Sequence, residues 1–181
     1  DGRHVMLAGA GAQFAAKAAG LAEVGDPQEY YSEHISHGSK EDVDHGTVGA
    51  VALDTNGILA AGTSTGDTFN KLVGRVGDTP IIGSGTWADE TVAVSCTGLG
   101  EAFMRANAAY DVSARMRYGK TDIDHACQQV LDEVKRFEGD GGLIAIDAKG
   151  NFCMPYNSDG MKRAAVSNVM SPVVRVFEPE P

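Results

Sequence analysis

The sequence has no apolar run long enough to cross a bilayer and no charged-then-apolar segment at its start. Nothing in it reads as a membrane span or a signal peptide, and a cytoplasmic location is expected. It is short of positive charge. Fifteen Lys and Arg stand against twenty-five Asp and Glu, a formal charge of −10, which argues against nucleic acid or an anionic membrane as partner. Cysteine is sparse: Cys96, Cys127 and Cys153 are widely spaced and form no C-x-x-C pair, so neither a zinc site nor a disulfide framework is expected. His34, His37 and His45 lie among carboxylates, but their spacing fits no compact ligand set. No metal or cofactor is therefore expected. Gly9-x-Gly11 is followed by Phe14 where a dinucleotide fingerprint needs its third glycine, so a plain strand-to-helix turn is the reading. There is no tandem repeat.

What is present is ordinary globular composition. The 181 residues are 43% apolar and 22% charged, enough for one domain with a real core. Twenty-three glycines fit tight turns and close backbone approaches. Residues 4–8 read as a short strand, and the Ala-rich stretch from Gln13 as a helix stopped by Gly20. Residues 25–45 are polar and aperiodic and read as a linker, its start docked by Tyr30 and Tyr31. Residues 81–87 and 92–96 are strand-like. Residues 101–116 have helical spacing, with Phe103, Ala106, Ala109 and Val112 on one side. A second helix is expected from about Asp122 to Phe137, with Thr121 as N-cap and Ile123, Ala126, Val130 and Val134 on one face. A hairpin over residues 143–156 and a strand at 173–177 follow. The order suits layered sheets with helices outside, an α+β fold.

The centre of the chain is residues 46–67. Two small apolar runs flank Asp54-Thr55-Asn56-Gly57, a hairpin turn. Thr47 opens the first run and Thr63-Ser64-Thr65 closes the second, so pairing the strands brings Thr65 back toward Thr47. Two threonines beside a glycine-rich loop can make a nucleophile site without Cys or His.

Gly46-Thr47-Val48-Gly49-Ala50-Val51-Ala52 resembles the cleavage and nucleophile motif of the plant-type L-asparaginase / isoaspartyl peptidase family, which are N-terminal-nucleophile hydrolases. Three further motifs follow in order: Thr63-Ser64-Thr65-Gly66, then Gly74-Arg75-Val76-Gly77-Asp78, then Thr97-Gly98-Leu99-Gly100-Glu101. The resemblance implies a four-layer αββα sandwich. It assigns residues 1–46 to the end of an α-subunit with its linker, matching only the last third of that subunit, and 47–181 to the catalytic β-subunit, together one domain. It implies cleavage between Gly46 and Thr47, which frees the Thr47 α-amine as a base with a pKa of about 8. Thr65 would support the nucleophile. Arg75 would grip a substrate α-carboxylate and Asp78 an α-ammonium. Thr97 and the Gly98 N–H would form the oxyanion hole, and Gly100 would admit the substrate close to the backbone. The family's structural sodium ion belongs to a loop that this chain does not match. Asp67 and Leu99 depart from the family pattern.

The expected activity is hydrolysis of L-asparagine to aspartate and ammonia and cleavage of β-aspartyl dipeptides, by a dimer of cleaved αβ units. A glycosylasparaginase-like amidase ranks second, because that group ends the fourth motif in Gly-Asp where this chain has Gly100-Glu101. A non-catalytic, unprocessed or truncated relative is the competing class.

Overall fold

The computed structural model describes residues 8–22, 25, 45–68 and 75–177, with His45 and Asp67 described by their backbone alone. The expected strand at 4–8 except Ala8, the docking of Tyr30 and Tyr31, His34 and His37, and most of the linker lie outside the described residues. Residues 1–43 and 44–181 form two compact units, each described by itself. In the first, Gly9–Ala18 (α1) begins four residues before the expected start at Gln13. It ends as the sequence predicts. Gly20 takes φ +71°, its N–H bonds to Lys17 O, and Leu21 N–H bonds to Ala16 O. This is the glycine-terminated helix end in which the last carbonyls are capped by the turn itself.

The second unit opens with an antiparallel hairpin of His45–Leu53 (β1) and Leu59–Thr68 (β2). The turn is built by Asp54, whose Oδ1 accepts the N–H groups of Asn56 and Ile58, both at 2.8 Å. Exposure alternates along both strands. Val51 and Leu53 on β1, and Leu59, Ala61, Thr63 and Thr65 on β2, are half-buried, and Val48, Ala52, Ala60 and Ser64 point outward. One face of the hairpin is therefore an inner face.

That face meets a four-stranded antiparallel sheet of Thr86–Ala88 (β3), Val92–Gly98 (β4), Gly141–Asp147 (β5) and Phe152–Cys153 (β6), in that order. β1 contacts β4 and β5, and β2 contacts β3 and β4. Residues 92–96 are all buried, as a strand covered on both faces must be. Alternation divides them. Val92, Val94 and Cys96 join the apolar core, and Ser95 faces the hairpin, where its Oγ is 2.7 Å from Thr63 Oγ1. The contact is tight: a Cβ on Gly49 would lie 2.0 Å from Ser95 Oγ.

Helices cover the other side. Gly100–Ala106 (α2), Ala108–Arg117 (α3) and Ile123–Arg136 (α4) pack against β4 and β5 and one another. The single helix expected over 101–116 is broken. Asn107 sits between α2 and α3 at φ +48°, and the turn lets Ala109 N–H and Tyr110 N–H reach the carbonyls of Ser84 and Gly83. Ile123, Ala126, Cys127, Val130, Leu131 and Val134 of α4 are all buried, each apolar side chain of Val or Leu size contributing about 1.5–3 kcal/mol. The N-cap is Asp122, not Thr121. Its carboxylate accepts His125 N–H at 2.9 Å, a bond one residue further along than the expected cap.

Residues 81–85 are turns rather than strand. Ile81 N–H bonds to Asp78 O, Ser84 N–H to Ile81 O, and Gly83 has φ +93°. Between β5 and β6, Asp147 repeats the role of Asp54, accepting Lys149 and Asn151 N–H groups at 2.8 and 2.9 Å. A hairpin of Arg163–Ser167 (β7) and Met170–Arg175 (β8) follows. Only the second of these strands was expected, three residues further along. The described residues thus form a mixed α+β structure. No helix among them is long and apolar enough to cross a membrane.

Candidate active site

The inner face of the hairpin ends at Thr47 and Thr65, which are paired across the two strands. Their hydroxyl oxygens are 3.0 Å apart. The Thr65 hydroxyl also donates to the Gly46 carbonyl, at 3.3 Å. One arrangement of protons satisfies both contacts: Thr47 O–H donates to Thr65, and Thr65 O–H donates to Gly46 O. The nucleophile candidate and the carbonyl preceding it are thus linked through one hydroxyl. The strand register slips at this point. β1 advances two residues from His45 to Thr47 where β2 advances three from Thr68 to Thr65. A bulge of this kind re-aims side chains beside it.

Behind Thr65 the hydroxyls continue. Thr86 Oγ1 donates to Thr63 Oγ1 at 2.5 Å, and Thr63 is bonded to Ser95. This chain ties the hairpin to β3 and β4 at the end where Thr97 and Gly98 leave the sheet. Thr97 lies on the same side of β4 as Ser95, two residues on. Gly98 and its cross-strand partner Gly141 have φ +137° and +145°. A Cβ on Gly98 would lie 2.2 Å from Asp140 O, so only glycine allows the two strand ends to approach this closely.

Arg75 and Asp78 share a cleft with the two threonines, and Glu101 stands beside Arg75. Arg75 Nε and Nη2 donate to the two Glu101 carboxylate oxygens at 2.9 and 2.6 Å. This two-point bond raises the Arg75 pKa and holds the Glu101 carboxyl below its ordinary range. Asp78 is only 6% exposed, and its Oδ2 has no hydrogen-bond partner among the described residues. Burial raises its pKa, against the lowering pull of its own N–H, Arg75 and the Thr79 N–H, while Glu101 adds to the rise. Gly100 packs on this pair. A Cβ there would be 3.0 Å from Asp78 Oδ1 and 3.1 Å from Arg75 Nη2. Thr47, Thr65, Thr68, Arg75, Asp78, Thr79 and Gly98 line one narrow cleft of ≈ 10 Å³.

A family model described as asparaginase matches residues 26–175. The chain belongs to the asparaginase family. It is 46% identical to an isoaspartyl peptidase of Escherichia coli over 89% of this chain and 56% of that one. It is 55% identical to a putative isoaspartyl peptidase/L-asparaginase of Dictyostelium discoideum over 67% of this chain and 35% of that one. It is 39% identical to a plant-type L-asparaginase of Pyrobaculum calidifontis over 88% of this chain and 58% of that one. The chain spans about half the length of the curated relatives it matches.

Within this asparaginase-family chain, five of the residues singled out in the sequence line one cleft: Thr47, Thr65, Arg75, Asp78 and Gly98. Thr97 and Gly100 adjoin it without lining it, and Gly46 meets it through the bond from Thr65. Gly74 lies outside the described residues. Thr68, Thr79 and Glu101 were not singled out for a role. Thr79 follows Asp78 directly, and Thr68 follows Thr65 by three along β2, so proximity to the motifs was their only signal. A larger open hollow of ≈ 520 Å³, lined by Asp124, His125, Phe152 and Arg175 among others, contains none of the motif residues. No group of His, Cys, Asp and Glu among the described residues could hold a metal ion.

Proposed function

We propose that the chain is an autoprocessing amidohydrolase that converts L-asparagine to L-aspartate and ammonia and cleaves β-aspartyl dipeptides. The observation that carries the reading is the Thr65 hydroxyl placed between Thr47 Oγ1 and the Gly46 carbonyl oxygen, with Arg75 and Asp78 across the same cleft.

The chemistry runs in two stages. First, Thr47 Oγ attacks the Gly46 carbonyl carbon. Thr65 polarises that carbonyl by donating to its oxygen. The C–N bond breaks, the Thr47 nitrogen takes a proton, and Gly46 is left as an ester on Thr47. Water hydrolyses the ester and frees the Thr47 α-amine. Second, that amine takes the proton of its own hydroxyl, with a pKa of about 8 that suits neutral pH. Thr47 Oγ attacks the substrate's side-chain amide carbonyl. The Thr97 hydroxyl and Gly98 N–H stabilise the oxyanion. Ammonia, or the amino group of the second residue in a dipeptide, leaves with a proton. A β-aspartyl ester on Thr47 remains, and water releases aspartate. Arg75 holds the α-carboxylate and Asp78 the α-ammonium. The threonine supplies nucleophile and base together, so no step calls for a metal or cofactor.

The reading includes a four-layer αββα sandwich. The β1–β2 hairpin packs face to face with the four-stranded sheet, with α2, α3 and α4 outside that larger sheet, and a further helical layer over the outward face of β1 and β2 completes it. Val48, 70% exposed on that face, supports the addition. It takes residues 1–46 as the end of an α-subunit and 47–181 as a β-subunit, and two such αβ units as a dimer. It locates the enzyme in the cytoplasm, where the free thiols of Cys96, Cys127 and Cys153 stay reduced.

The test is ammonia release from asparagine and amino-acid release from a β-aspartyl dipeptide by the purified chain. Both are expected, and both are expected to vanish in Thr47→Ala. Equal release by Thr47→Ala removes Thr47 from the chemistry. An intact wild-type chain with no hydrolysis of either substrate favours a non-catalytic relative.

A further inference from the structure

We infer that Glu101 is a positioning residue for the substrate's α-carboxylate: by gripping the Nε–Nη2 edge of Arg75, it fixes the angle at which that guanidinium meets the ligand. The inference rests on the proposed reading of the cleft as an amino-acid site.

Arg75 lies outside any helix or strand, and a guanidinium on a flexible stem has many orientations to lose on binding. Glu101 removes that freedom beforehand. Its two oxygens meet Nε and Nη2 at 2.9 and 2.6 Å, the paired contact that fixes the plane of the guanidinium as well as its position. Glu101 itself is anchored. It stands in the first turn of α2, directly after Gly100, whose bare Cα lies against Asp78 Oδ1 and Arg75 Nη2. One short backbone segment thus sets both of the charged groups that the reading assigns to a zwitterionic amino acid. The Glu101 side chain is 47% exposed and that of Arg75 17%. The carboxylate therefore sits on the outer edge of the pair and acts through Arg75 rather than by touching the ligand. It also opposes the charge of Asp78 from nearby, so it contributes to the balance between the two ends of the site.

The experiment is aspartate binding by calorimetry to the wild-type chain, Glu101→Gln, Arg75→Ala and the double variant. Glu101→Gln keeps the shape and loses the charge. It is expected to weaken aspartate binding about tenfold, the lower range for a charge-assisted hydrogen bond. In the Arg75→Ala background the same change is expected to have an effect under about twofold, because the group it acts through is gone. Steady-state kinetics give a second readout: the KM for asparagine is expected to rise more than kcat falls, and Glu101→Asp is expected to restore part of the loss. Melting curves check that each variant is folded. Wild-type binding in Glu101→Gln overturns this inference alone. So does an equal loss in both backgrounds, which would mean that Glu101 does not act through Arg75. A wild-type chain that cuts itself but binds no aspartate overturns the reading of the site, and this inference with it.

Discussion

Replacing Asp78 by asparagine is expected to make the protein more stable and less able to bind substrate. The carboxylate is 6% exposed, and one of its oxygens has no hydrogen-bond partner among the described residues. Its pKa is raised by burial above the ordinary 3.8. The sign follows from linkage. A carboxyl whose folded pKa lies above its unfolded one binds the proton more tightly when folded. Its favourable contribution is complete below the unfolded pKa and is lost as pH rises through the folded pKa. At pH 7 the ionised group therefore lowers stability, and an uncharged residue of the same shape relieves it. Arg75 is not stranded by the change, because Glu101 still holds it. An unsatisfied buried polar group costs about 1–3 kcal/mol. Asparagine still presents polar atoms, so a gain of about 1 kcal/mol is expected at pH 7, or about 2–4 °C in melting temperature for a chain of this size. Melting curves of both proteins from pH 3 to pH 8 measure it. The difference should shrink toward pH 3, where Asp78 is protonated in both states. A variant that melts lower than wild type at pH 7, or a difference that ignores pH, would mean that the buried Asp78 carboxylate does not destabilise the fold. Aspartate binding should fall at the same time, since no charge remains for the α-ammonium.

Three further outcomes are expected. Thr97→Val keeps the shape and removes a hydroxyl, and turnover should fall about a hundred- to a thousand-fold; near wild-type turnover would make Thr97 structural. Thr65→Val should slow self-cleavage by a comparable factor of about a hundred or more, since it removes the donor on the Gly46 carbonyl; densitometry of the uncut band over time measures it, and an unchanged rate would remove Thr65 from processing. Gly49→Ala forces a methyl to within 2.0 Å of Ser95 Oγ, and overpacking of this kind costs about 1–3 kcal/mol; Ser95→Gly in the same chain should recover part of the loss in a denaturant titration.

The hairpin was legible in the sequence because its signals are local. Asp54-Thr55-Asn56-Gly57 defines the turn, and strand parity then pairs Thr47 with Thr65. The apolar face of α4 was legible for the same reason, while its cap was misread by one residue because Thr121 and Asp122 are both good caps. The break at Asn107 was not legible. It answers to carbonyls at 83 and 84, which helical spacing within 101–116 does not reveal. Within the strand-like run at 81–87, residues 81–85 were misread because Ile81 and Ile82 are apolar, whereas the backbone there closes turns onto Asp78; Thr86 and Trp87 do lie in β3. The pairing of Arg75 with Glu101 joins residues 26 apart in sequence, and it depends on where α2 starts.

Thr47 is proposed as a nucleophile made by its own attack on Gly46. The most direct measurement is N-terminal sequencing and intact mass of the purified chain after incubation, for wild type, Thr47→Ala and Thr47→Ser. Wild type is expected to yield fragments 1–46 and 47–181, the second beginning with Thr47, at a rate independent of protein concentration. Thr47→Ser is expected to cut more slowly and Thr47→Ala to stay whole. Cleavage of Thr47→Ala at the same bond and rate would contradict the account, as would a wild-type chain that hydrolyses asparagine while remaining uncut, since its α-nitrogen would then be an amide and no base.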